Sequence, residues 1–211
     1  MNKNGFTIIE VVIVFLLILG VTFFVLPLSL NNTKQAQFIS KWVNTYSGLE
    51  YVFSSIKAQN GFDLGKKFKH AKNNDYKTAV MLDIIKPYLR FKSGVPSSEY
   101  KPLYMNKKTV IQGDRYYFDN LYFWDDDKIF GLKWISDNCK ENDVCASMLV
   151  DINGITLPNT WGKDIFGVNI FSDKLEPMGK NIERNVLKND CSPFGFGVYC
   201  SYYYLIGGEF D

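Results

Sequence analysis

The sequence predicts an α+β fold in which a long N-terminal helix lays its second half against an antiparallel β-sheet head. Residues 5–30 form an apolar run whose only ionisable side chain is Glu10. Helical spacing then continues, because Phe38 or Ile39, Trp42, Tyr46, Leu49, Phe53 and Ile56 recur at steps of three and four. Beyond residue 115 the pattern changes to short aromatic and β-branched segments divided by turn residues, which is how strands read.

Taken in order, the apolar run is long enough to span a bilayer, since roughly 20 helical residues cross the hydrocarbon. Extended from Phe6 to Ala58 the helix would be roughly 80 Å long at about 1.5 Å per residue, so its first half needs lipid or other copies around it. Gly20 and Pro27 interrupt that half. Proline removes a backbone hydrogen bond and crowds the preceding turn, so bending or melting is expected there. In the second half the apolar stripe needs a sheet to cover it, and Asn60-Gly61 supplies a stop.

Residues 62–74 are polar and rich in Gly and Lys and read as a loop. Asp75 is expected to cap a helix over 76–91, with Pro87 kinking or ending it. Residues 93–115 look irregular, with one short strand. Segments 116–124 and 128–135 flank Asp125-Asp126-Asp127 as a hairpin. Further strands are predicted over 146–152 and 164–171, and a last one over 198–206, pinned through Cys200.

Composition excludes several function classes. The chain has 17 Phe, 13 Tyr and 4 Trp with a net charge of only +2, so no global field calls for nucleic acid or an anionic membrane surface. The Lys-rich patch at 65–72 reads as a solvated loop in preference to a DNA or lipopolysaccharide contact. Motifs for nucleotide-binding loops, zinc proteases and serine hydrolases are absent, His70 stands in the Lys-rich loop, and Ser97 and Ser98 have no base nearby. An enzyme is therefore not expected. Cys139, Cys145, Cys191 and Cys200 fall as two close pairs; four cysteines allow three connectivities, of which sequential pairing closes the shortest loops. Zinc fails on spacing, because neither pair is C-x-x-C and the sole histidine is remote. Disulfides place the head in an oxidising compartment.

Glu10 is the anomaly. A carboxylate inside lipid costs several kcal/mol unless neutralised, and the helix offers no cation at its depth. Cutting the chain after Gly5 would create one, the α-amine of Phe6, within reach of the Glu10 of an adjacent copy. Such a head-to-tail contact does not close on itself and builds a filament. The leader MNKNG, Gly5, Phe6 and Thr7, Glu10 and the following apolar run resemble the class III signal of type IV pilins and type II secretion pseudopilins. Pro27 falls where many pilins carry a helix-loosening proline.

The resemblance implies a type IV pilin-like fold. It also implies cleavage between Gly5 and Phe6 by a prepilin peptidase, N-methylation of Phe6 and use of Glu10 in assembly. Residues 1–5 would be the leader, 6–30 the transmembrane and assembly half of the helix, and 31–211 the head with the helix's second half. The partners implied are other pilin or pseudopilin subunits and an inner-membrane assembly platform, for a single-pass inner-membrane protein with its head in the periplasm or on the cell surface. Lys3 and Lys34 balance, so this topology follows from the resemblance and not from charge. The role expected is a structural subunit, minor or major. The alternative is a membrane-anchored pilin-like module that binds DNA or a secreted substrate.

One stretch in the head carries candidate chemistry. Asp151, Asn153 and Gly154 imitate the start of a calcium loop, and Asp164 could close it with backbone carbonyls, although no Glu stands where an EF-hand would end. Some pilin-like heads carry comparable stretches, and calcium is known in some pseudopilins, which makes Ca2+ a candidate ligand. The competing reading is that Asp151 and Asn153 simply form turns with their own backbone.

Overall fold

The computed structural model describes residues 8–60, 63–68, 71, 73–96, 99–125, 127–136, 139–140 and 142–209, with side chains left out at 22–32, 60, 65, 66 and 93. The chain divides between Gln37 and Phe38 into two compact units. Helix α1 spans Ile8–Asn60. In the first unit every side chain described over 8–21 is exposed, the large hydrophobics ranging from 48% at Val14 to 85% at Ile8. Among the described residues no helix is long and apolar enough to cross a membrane. The side chains of 22–30, which complete the apolar run, lie outside those residues, and so does any side-chain effect of Pro27.

The second unit is an α+β head. Its sheet is an antiparallel meander whose spatial order follows the chain: β1 (Phe91–Ser93), β2 (Leu121–Trp124), β3 (Lys128–Trp134), β4 (Ala146–Asp151), β5 (Ile165–Ile170) and β6 (Leu175–Pro177). Side chains alternate between faces, so Ala146, Met148 and Val150 of β4 and Phe166, Val168 and Ile170 of β5 share one core. The stripe of α1 covers that core, with Trp42, Leu49 and Ile56 fully buried. Trp42 stacks on Phe166 at 4.6 Å, and its indole N–H donates to the Ser201 carbonyl at 2.8 Å. On the opposite face Ile129, Leu149 and Ile165 lie under Tyr100, Val110, Phe118, Trp161 and Met178.

Several expectations are corrected. The segment 198–206 is no strand: it folds as α5 (Cys200–Tyr203) and a 3-10 turn (Tyr204–Ile206). Its aromatic run has strand propensity, but a helical turn lets the Ser201 carbonyl meet Trp42 while Tyr203 and Tyr204 enter the core, and tertiary packing overrides propensity. Residues 62–74 are not all loop, since α2 (Leu64–Lys67) interrupts them. Helix α3 (Asn74–Ile85) is capped by Asn73 and not by Asp75, because the Asn73 side chain accepts the N–H groups of Asp75 at 2.7 Å and Tyr76 at 3.4 Å. It ends at Ile85: Lys86 is still αR and donates to the Leu82 carbonyl at 2.9 Å, and Pro87 has no N–H with which to continue the ladder.

Only the end of 116–124 is strand. Phe118 leaves the sheet to lie over Gly131, where a β-carbon would come within 3.0 Å of it. Strand β6 and helix α4 (Arg184–Asp190) were not anticipated.

Candidate functional site

Sequence reasoning points to two places. The first is the start of α1, where Glu10 is exposed in the first turn, the end of a helix at which the macrodipole favours a carboxylate. Gly5 and Phe6, the expected cleavage and methylation residues, lie outside the described residues. His70, Ser97, Ser98 and Asp126 do as well.

The second is the β4–β5 connection, and here the structure brings the expected residues together. Asp151 ends β4 opposite Ile165, the first residue of β5, so Asp164 arrives beside it. Asp151 Oδ1 accepts the Asn153 N–H at 3.0 Å and Oδ2 accepts the Tyr100 hydroxyl at 2.9 Å. Asp164 accepts the N–H groups of Thr160 at 2.6 Å and Asn159 at 2.8 Å, one on each oxygen. Asn153 Nδ2 donates to the Thr156 carbonyl at 2.9 Å. Gly154 takes φ +68°, and a β-carbon there would press on the Asp127 carbonyl oxygen at 3.2 Å, so the loop also leans on the β2–β3 turn.

Both carboxylates are fully buried. Burial raises the Asp151 pKa well above the ordinary range, and the negative charge of Asp164 adds to it. Burial lifts Asp164 to about 6 against the pull of its N–H donors. The Tyr100 hydroxyl is pushed up by burial and by Asp151.

Calcium takes six to eight oxygens. Here two acids and one amide converge, all four carboxylate oxygens already accept a protein donor, and Asn153 Oδ1 is buried without a partner among the described residues. Among those residues no group of three or more His, Cys, Asp or Glu side chains is placed to hold a metal. The set does not fit calcium. It builds the turn, with the acids tying the loop to itself and to Tyr100.

The cysteines pair sequentially, Cys139 with Cys145 and Cys191 with Cys200, with Cα atoms 4.7 Å and 5.3 Å apart. The first bridge closes the β3–β4 connection. The second joins the end of α4 to the start of α5.

A further cluster escaped sequence reasoning. On the sheet face away from α1, Ser147, Asn169 and Glu176 are successive cross-strand partners on β4, β5 and β6. They line a cleft of about 310 Å3 walled by Arg115, Tyr116 and Tyr199. The signal available in the sequence was a polar residue among apolar ones in each of three strand segments, but only the register puts Ser147, Asn169 and Glu176 in a row.

Comparison with family models, curated proteins and solved structures finds no match to the chain.

Proposed function

We propose that the chain is a structural subunit of a type IV pilus or type II secretion pseudopilus filament, with a pilin-like fold and no catalytic role. A prepilin peptidase would cut between Gly5 and Phe6, Phe6 would be N-methylated, and Glu10 would pair with the new amine of a neighbouring copy. The carrying observation is α1 itself. Its start exposes an apolar surface with one acid in the first turn, while its later residues supply the stripe that the sheet covers. An apolar helix surface of that kind is stable only against lipid or other copies, and moving it from one to the other conserves burial worth roughly 25 cal/mol per Å2. Before assembly the chain would stand in the inner membrane with its head in the periplasm, and afterwards in a periplasmic or surface polymer.

Gly5→Trp is expected to leave the leader attached, as read by the intact mass, and Glu10→Ala to process normally but yield no filaments by electron microscopy. Normal polymer from both variants would refute the proposal. A second reading, an anchored binding module for a secreted substrate, is favoured by the cleft on the outer sheet face.

A further inference from the structure

We propose that the cleft across β4, β5 and β6 binds a hydroxyl-rich neutral ligand, a mono- or disaccharide unit. This site is independent of how α1 assembles. Its floor is the row Ser147, Asn169 and Glu176, the polar stripe of a sheet face whose next row is Gly131, Leu149 and Gly167. Cross-strand neighbours stand about 5 Å apart at Cβ, so Asn169 and Glu176 can engage adjacent groups on one small molecule.

All three residues line the cleft. Ser147 donates its hydroxyl to Asn169 Oδ1 at 3.1 Å, which orients the amide and leaves the Asn169 Nδ2 hydrogens for a ligand. Glu176 is 6% exposed, and both Lys174 at 3.1 Å and Lys180 at 2.9 Å hold the same oxygen, Oε1. Among the described residues nothing donates to Oε2. A fixed donor beside a fixed acceptor suits a group that both gives and takes a hydrogen bond, which a hydroxyl does and an ammonium or phosphate oxygen does not.

Charge narrows the class further. Burial opposes ionisation of Glu176, but the hydrogen bonds from Lys180 and Lys174 outweigh it and keep its pKa below the ordinary value. The carboxylate is therefore charged and already neutralised. With Lys174 and Lys180 both on Glu176, Arg115 leaves the rim positive, which disfavours a cationic ligand.

The walls add apolar faces: Tyr116, with the Arg115 guanidinium 5.7 Å from its ring centre, and Tyr199. Sugar rings present C–H faces to aromatic rings and hydroxyls at their edges, which matches walls of one kind and a floor of the other. A cleft of about 310 Å3 lies at the small end of ligand sites, fit for one or two rings.

The test uses the full chain in a detergent without a sugar headgroup, titrated with galactose, N-acetylglucosamine, cellobiose and inorganic phosphate by saturation-transfer NMR and calorimetry. At least one sugar is expected to bind with a millimolar or lower Kd, and phosphate is not. Asn169→Asp keeps an acceptor for Ser147 but replaces the donor by a second carboxylate, and should weaken that sugar by about tenfold or more. Asn181→Trp, at the exposed rim, blocks the mouth without touching the floor and should do the same. Binding of no sugar, preference for phosphate, or unchanged sugar affinity in both variants would overturn the proposal.

Discussion

Neutralising Asp164 should change how the stability of the head depends on pH. The side chain is fully buried and its pKa rises from 3.8 to about 6 on folding. Below about pH 4 the group is protonated in both states and carries no penalty. Through the window from 3.8 to about 6 the folded chain keeps a proton that the unfolded chain releases, so stability falls as pH rises. Above the window the whole cost stands, about 3 kcal/mol for a rise of this size. Asp151 shifts in the same direction, and Asp190, raised by burial, adds to the trend. Glu176, whose pKa is lowered, runs the other way, its contribution being lost as pH falls.

The difference between the parent and Asp164→Asn reports the loss of this carboxylate together with the relief it gives Asp151, whose pKa the Asp164 charge helps to raise, and both act in the same direction. Urea unfolding of the full chain, followed by tryptophan fluorescence at about pH 4, about pH 5.5 and about pH 7, should show the parent losing up to about 3 kcal/mol relative to the variant. The variant can start less stable, because an amide oxygen accepts only part of what the Asn159 and Thr160 N–H groups offer. Parallel pH profiles, or a parent that gains on the variant as pH rises, would refute the reasoning.

Other substitutions test the packing. Trp42→Ala should cost about 3–5 kcal/mol by removing the ring stacked on Phe166, whereas Trp42→Phe keeps a ring and mainly loses the bond to Ser201, about 1 kcal/mol, both read from denaturant midpoints. Gly162→Ala should destabilise by more than about 1 kcal/mol, since φ is +79° and the new methyl would meet Cys200 Sγ at 2.7 Å and the Gly197 carbonyl at 2.8 Å. Millimolar calcium should leave the melting temperature of the full chain unchanged, because ligands that bind only the folded state raise it and the Asp151 loop has its oxygens in use.

What was legible in the chain was periodicity. Steps of three and four from Trp42 to Ile56 gave the stripe that is buried, and aromatic and β-branched segments divided by turn residues located the central strands β3, β4 and β5 within a residue or two. Cysteine spacing gave the pairing. What was not legible depended on partners distant in sequence. Tyr202, Tyr203 and Tyr204 have the chemistry of a strand, and partners distant in sequence, Trp42, Gly162, Gly167 and Cys191 among them, hold them as a helical turn. Likewise, Asp151 and Asp164 were visible as a pair of acids, but Tyr100, which occupies one of their oxygens, lies 51 residues upstream. Asn169 and Glu176 read along the chain as two unconnected polar residues until the register sets them side by side.

Trp42 and Ser201 are separated by 159 positions, so their bond has a meaning in time as well as in space. A ribosome adding roughly 5–20 residues per second would need on the order of ten to thirty seconds to deliver the second after the first. Within that interval β3, β4 and β5 become available to cover the α1 stripe, but the Trp42 indole N–H waits for its acceptor. A chain lacking the tyrosine-rich turn would leave that indole donor unmatched and uncover the part of the core that Tyr203 and Tyr204 fill.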